Sequence, residues 1–125
     1  MIGLGIDVVD VDRAAAILAS RHRVLDRLLT ASERDYVLEM RHPARHLAVR
    51  LAAKEAVYKA LQPLPKAAGV GWREIEIVRG ERGRPEVRLH GLAQEIHAAH
   101  GAPRIHVSLT HSDRTAAAVA LVESA

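Results

Sequence analysis

The chain has 125 residues, a net charge of +3 and a sequence pI of about 9.8, with no Cys, no Phe, one Trp and two Tyr. That length suits one domain with a modest, aliphatic core. The composition excludes disulfides and cysteine-based zinc sites, and so few aromatic platforms argue against single-stranded nucleic-acid binding.

The longest apolar run, Ala116 to Val122, is too short to span a membrane. The start of the chain lacks the basic-then-apolar pattern of a signal peptide. A soluble cytoplasmic protein is expected. The mild positive balance suits an acidic protein or a phosphorylated small molecule as partner, and is too weak and too dispersed for nucleic acid. Of the cations, fifteen are Arg and three are Lys. Two of those Lys, Lys54 and Lys59, fall in one segment, which marks positions that want a compact ammonium rather than a fork.

In chain order, Ile2 to Val11 reads as a strand. Ile2, Leu4, Ile6 and Val8 share one face, and Gly3, Gly5 and Asp7 the other. The two glycines leave room beside Asp7 for a ligand or for a second backbone. Asp10 or Asp12 can cap a helix from about Arg13 to Ser20. Arg13, Arg21, Arg23 and Arg27 stand against one acid, Asp26, as a solvated face or as a docking surface for an acidic protein. Thr30 and Glu33 form a capping box that starts a helix through about Met40. His42-Pro43 marks the next helix start.

That helix carries the central stretch, LAVRLAAKEAVYKAL from Leu47 to Leu61, with eleven apolar and four charged residues. Its apolar side chains run nearly all the way round, so it is expected to be packed on most sides. Arg50 and Lys54 stack one turn apart, as do Glu55 and Lys59. One reading is a core helix with an internal Glu55–Lys59 pair, worth ~0.3–0.5 kcal/mol. The other is three cations and a carboxylate converging on an anionic, metal-bound ligand. Gln62 to Gly71 is a Pro- and Gly-containing loop. Residues 72–90 pattern as a β-hairpin, 92–100 as a short helix, and Arg104 to His111 and Ala116 to Val122 as strands. The expected architecture is one α+β domain, an antiparallel sheet packed against helices.

There is no GxSxG elbow, Walker loop, His-Glu-x-x-His or CxxC. His42/His46 and His97/His100 have same-face helical spacing, a pattern more often solvated than zinc-binding. What remains is Asp7 beside glycines, Glu55 among Arg50, Lys54 and Lys59, and His111 at a strand end. Two carboxylates with open coordination positions suit Mg2+, which takes its other ligands from water and phosphate. Flanking cations suit charge developing on a phosphate leaving group. The combination points to phosphoryl-type transfer from a pyrophosphate-containing substrate.

GLGIDVVDVDR (3–13), LLTASE (28–33), RLAAKEAVYKAL (50–61), WREIEIVRGERGRPEVRLHG (72–91) and IHVSLTH (105–111) occur in this order. Together they resemble the holo-acyl-carrier-protein synthase family of 4′-phosphopantetheinyl transferases over nearly the whole chain. The resemblance implies that family's fold, with the sheet against a long central helix, and transfer of phosphopantetheine from coenzyme A to a serine of an acyl carrier protein. It implies Asp7 and Glu55 as Mg2+ ligands and Lys59 at the scissile phosphate. Arg50, Lys54 and His111 match positions around the adenosine diphosphate part of coenzyme A. Glu55 or Asp35 matches the base for the serine, and Arg13, Arg21 and Arg27 match the carrier-docking helix. It also implies a homotrimer with sites at subunit interfaces. The chain departs from the family pattern at Val49 and Leu51, and at Gln62 to Pro65, where a glycine-rich turn is usual. A competing reading is a non-catalytic subunit that keeps the fold and binds coenzyme A or an acidic protein.

Overall fold

The computed structural model describes residues 1–20 and 22–125; Arg21 of the expected docking cluster lies outside them. The elements are β1 (Gly3–Asp10), α1 (Val11–Ala19), α2 (His22–Leu28), α3 (Ala31–Glu39), α4 (Pro43–Leu61), β2 (Ile75–Arg79), β3 (Pro85–Leu89), α5 (Gly91–Ala99), β4 (Arg104–His111) and β5 (Thr115–Glu123). The class is α+β, as expected. The sheet is divided in two: an antiparallel β1-β5-β4 sheet and a β2-β3 hairpin. A cleft lined by Val87, Leu89, His97 and Ile105 lies between β3 and β4, and β3 opens on Pro85, which has no N–H to give a ladder. Residues 22–28 form a short helix of their own, where the residue pattern gave a basic cluster and the family resemblance a docking helix. Leu25, Leu28 and Leu29, at helical spacing, turn inward beneath the arginines.

The nineteen-residue α4 begins with Pro43 at its first turn and runs through the middle of the core. Its approach to β1 settles what lies beside the glycines. A Cβ on Gly3 would sit 1.8 Å from the Ala60 carbonyl oxygen, and one on Gly5 1.9 Å from that of Ala56. The space holds a second backbone, not a ligand. Small residues on both elements bring the helix this close, and Asp7 follows next on the same strand face. Gly5→Ala is expected to force α4 off the strand and to destabilise the protein by about 3 kcal/mol, the upper end for overpacking. The midpoint of denaturant unfolding measures it.

The other face of the three-stranded sheet is bare. Leu4, Ile6 and Val8 are 56%, 65% and 60% exposed. Ile6 lies directly across from Val119 of β5, and Leu4 from Leu121. Apolar side chains in contiguous register on an open face mark an interaction surface.

Candidate functional site

The first cleft, about 280 Å3, is lined by Asp7, Val8, Val9, Arg13, Leu51, Glu55 and Trp72. Asp7 enters from β1 and Glu55 from α4, because α4 lies flat on the glycine face. Glu55 has no hydrogen bond or ion pair among the described residues. The internal Glu55–Lys59 pair does not form. Lys59 turns the other way, donating to Asp7 Oδ1 at 3.2 Å and to the Ile6 carbonyl at 3.0 Å. Among the described residues no cluster of three or more metal-type ligands occurs. Two carboxylates from different elements facing one cleft, one of them unpartnered, fit a hard cation that completes its shell with water and phosphate. Glu55 and Trp72 also line an adjoining cleft with Tyr58, Val70, Gly71 and Ile75, so Trp72 stands as a wall between the two.

Lys54 forms part of that second cleft's floor but is only 1% exposed at its side chain. Its ammonium donates to Glu33 Oε1 at 2.6 Å, the Ile75 carbonyl at 2.7 Å and the Trp72 carbonyl at 2.9 Å. All three protons are used. This corrects the expectation that Lys54 contacts coenzyme A: within this chain it has no donor left. Burial pushes its pKa down, against the opposing charge and hydrogen bond of Glu33. Glu33 completes the knot. The Thr30–Glu33 capping box forms as read, and Glu33 Oε2 also accepts the Ile77 N–H at 2.9 Å. One buried ion pair therefore ties α3, α4 and the start of β2 together, and fixes the backbone that carries Trp72.

Arg50 lies in a different place. It is 7% exposed, with its guanidinium 4.1 Å from the Tyr36 ring centroid. Its Nε has no hydrogen-bond partner, and no ion pair neutralises it among the described residues. Burial lowers its pKa, partly opposed by Tyr36 and Glu33. It opens on a cleft of about 290 Å3 lined also by His46, Arg79, Ser108 and His111. No Asp or Glu lines that cleft. Arg50 also borders an opening with Glu33, Glu81 and Glu86 but pairs with none of them, so its guanidinium can take an anion from the carboxylate-free side.

The expected site residues thus fall into two groups in one chain. Asp7, Glu55, Lys59 and Arg13 gather at one cleft edge, and Arg50 and His111 at another. The two clefts share no lining residue. On a helix with 3.6 residues per turn, Arg50 and Glu55 point about 140° apart. Asp35 is exposed on α3 and lines neither cleft. Arg27 is exposed at the end of α2.

The family model of the 4′-phosphopantetheinyl transferase superfamily matches residues 3–120. The chain belongs to this superfamily. The holo-(acyl-carrier-protein) synthase of Moorella thermoacetica is 42% identical to this transferase over 127 aligned positions, covering 99% of this chain and 95% of the relative. The solved acyl carrier protein synthase of Mycobacterium tuberculosis is 39% identical, with a TM-score of 0.75 and coverage of 99% and 98%. That of Bacillus anthracis, solved in complex with CoA (3′,5′-ADP), is 28% identical, with a TM-score of 0.79 and coverage of 99% and 97%.

Three residues of this phosphopantetheinyl transferase escaped the sequence reading. Glu33 was read as a cap alone, since nothing local ties it to Lys54, twenty-one positions away. Trp72 was read as the first residue of a strand, whereas Glu74 folds residues 72–74 into a 3-10 turn. Glu74 accepts the Gly71 N–H at 2.8 Å and the first N–H groups of α5 from Leu92 and Ala93. Tyr36 had as its only signal that it is one of two tyrosines in the chain.

Proposed function

We infer that this phosphopantetheinyl transferase moves the 4′-phosphopantetheine group of coenzyme A onto a serine of an apo acyl carrier protein and releases 3′,5′-ADP. The observation that carries the reading is the pairing of a two-carboxylate cleft with a separate, carboxylate-free cationic cleft. The first suits a metal-bound pyrophosphate, the second the phosphates of the nucleotide end. The serine oxygen forms a bond to the β-phosphorus, and the bond from that phosphorus to the bridging oxygen breaks. Lys59, half-exposed beside Asp7, stabilises or protonates the departing oxygen. Glu55 is the carboxylate placed to take the serine proton, directly or through water. Asp35 serves there only from a second chain. Asp7 and Glu55 would hold Mg2+, which when bound neutralises charge on the pyrophosphate. Arg50 and His111 would hold the adenosine phosphates.

The two groups of residues sit too far round α4 to serve one substrate from one chain. The bare Leu4-Ile6-Val8 face supplies a surface on which copies can assemble, so we place each complete site between neighbours in a homotrimer. Exposed Arg27, with Arg13 and Arg21, gives the acidic carrier its docking surface. Arg27→Glu is expected to raise KM for the carrier about tenfold while leaving affinity for 3′,5′-ADP unchanged. Steady-state kinetics with calorimetry checks both. Among the described residues no helix is long and apolar enough to cross a membrane, and we assign the reaction to the cytoplasm.

Mass spectrometry tests the function. An apo carrier incubated with this protein, coenzyme A and Mg2+ gains the mass of one phosphopantetheine on a serine. An unchanged carrier mass alongside retained coenzyme A binding would favour the non-catalytic subunit instead.

A further inference from the structure

The carboxylate-free cleft holds a group that the transfer chemistry leaves unused. His46 of α4 is half-buried, lines the cleft with Arg50, Arg79 and His111, and has no hydrogen-bond partner among the described residues. Its ring meets Tyr36 of α3 edge-on, with centroids 5.9 Å apart and planes at 77°. The charged and titratable groups around it are Arg50 from α4, His42 just before that helix, Arg79 from β2, His111 from β4 and the Tyr36 phenol from α3. No carboxylate lines this cavity; Glu33, Glu81 and Glu86 border the adjoining opening that shares Tyr36, Arg50 and Arg79 with it. With the cleft empty, burial first, then Arg50, His111, Arg79 and His42, push the His46 pKa below its ordinary value. The imidazole is therefore neutral at neutral pH.

A phosphomonoester entering this cavity reverses the local field. It neutralises the arginines and presents strong acceptors to a ring with both nitrogens free. We propose that His46 is a ligand of the phosphate in this cleft, gaining a proton as a nucleotide phosphomonoester binds and donating it back as a charge-assisted hydrogen bond. The ligand class rests on the transfer reading above; the role of His46 rests on the cluster itself.

Titration calorimetry of the assembled wild-type protein with 3′,5′-ADP, in two buffers of different ionisation enthalpy, gives the protons taken up per ligand. The phosphate's own titration is common to all variants and cancels in their difference. The wild type is expected to take up about half a proton or more beyond His46→Gln at pH 7, and to gain more affinity than that variant between pH 8 and pH 6. Should His46→Gln fail to fold, the ring resonances of wild-type His46 decide: its proton affinity is expected to rise about tenfold with 3′,5′-ADP bound. Equal proton counts in wild type and His46→Gln, or an unchanged His46 titration, would overturn the assignment while leaving the transfer reading standing. Absence of 3′,5′-ADP binding by the wild type would overturn both.

Discussion

Glu55→Gln is expected to lower the rate of phosphopantetheine transfer by at least about a hundredfold, more than is usual for groups that merely support a metal ligand. The substitution keeps the shape of the side chain and removes its charge. Glu55 makes no hydrogen bond or ion pair to another described residue, so its loss leaves no stranded partner. It shares its cleft with Asp7, and the proposed cation site draws on both negative charges. Stability should therefore change by no more than about 0.5 kcal/mol, as for a substitution that breaks no buried contact. Thermal unfolding alongside the transfer assay separates the two quantities. Near-wild-type turnover would show that Glu55 is neither ligand nor base. A large drop in stability would show a structural role that its free carboxylate does not suggest.

Lys54→Met should behave in the opposite way. It removes an ammonium bonded to Glu33 and to the Trp72 and Ile75 carbonyls, and leaves Glu33 as an uncompensated charge at 2% exposure. Breaking one side of a buried ion pair costs about 3–5 kcal/mol, a large fraction of the 5–15 kcal/mol that holds a domain folded. Adding Glu33→Gln should recover part of that loss, because Gln still accepts and donates at the cap without an unpaired charge. A double-mutant cycle by urea unfolding measures the coupling. If Lys54→Met instead left stability intact and weakened only nucleotide binding, Lys54 would be a ligand contact and the internal knot would be incidental.

The elements most legible in the sequence were those whose signals are local. Pro43 and the alanine-rich run gave α4, the Thr30–Glu33 spacing gave the start of α3, alternation gave β4 and an apolar run gave β5. Asp7, Glu55 and Lys59 were readable as one group because a glycine-bearing strand and an alanine-bearing helix were each visible. Their mutual approach was not fixed, since the glycines fitted a ligand as well as a backbone. Long-range pairing was not legible at all. Lys54 looked like one more cation of the site because its partner, Glu33, lies on another helix and already had a local explanation. The hairpin's separation from the main sheet, with β3 and β4 side by side but not laddered, had no local signal. Arg50 and Glu55 were expected to converge, yet five residues of helix turn them away from each other. That divergence is the reason the proposed site draws on a second chain.

Mixed assembly tests this division of the site most directly. Glu55→Gln disables the carboxylate cleft, and Arg50→Met disables the cationic cleft. If each complete site draws one cleft from each of two neighbours, then equal mixing of the two inactive variants leaves about a quarter of the sites with both clefts intact. The transfer rate of the mixture should then return to about a quarter of wild type, with mixed oligomers seen by native mass spectrometry. A mixture in which the subunits have exchanged, but whose activity stays at the level of the separate variants, would contradict a site shared between chains.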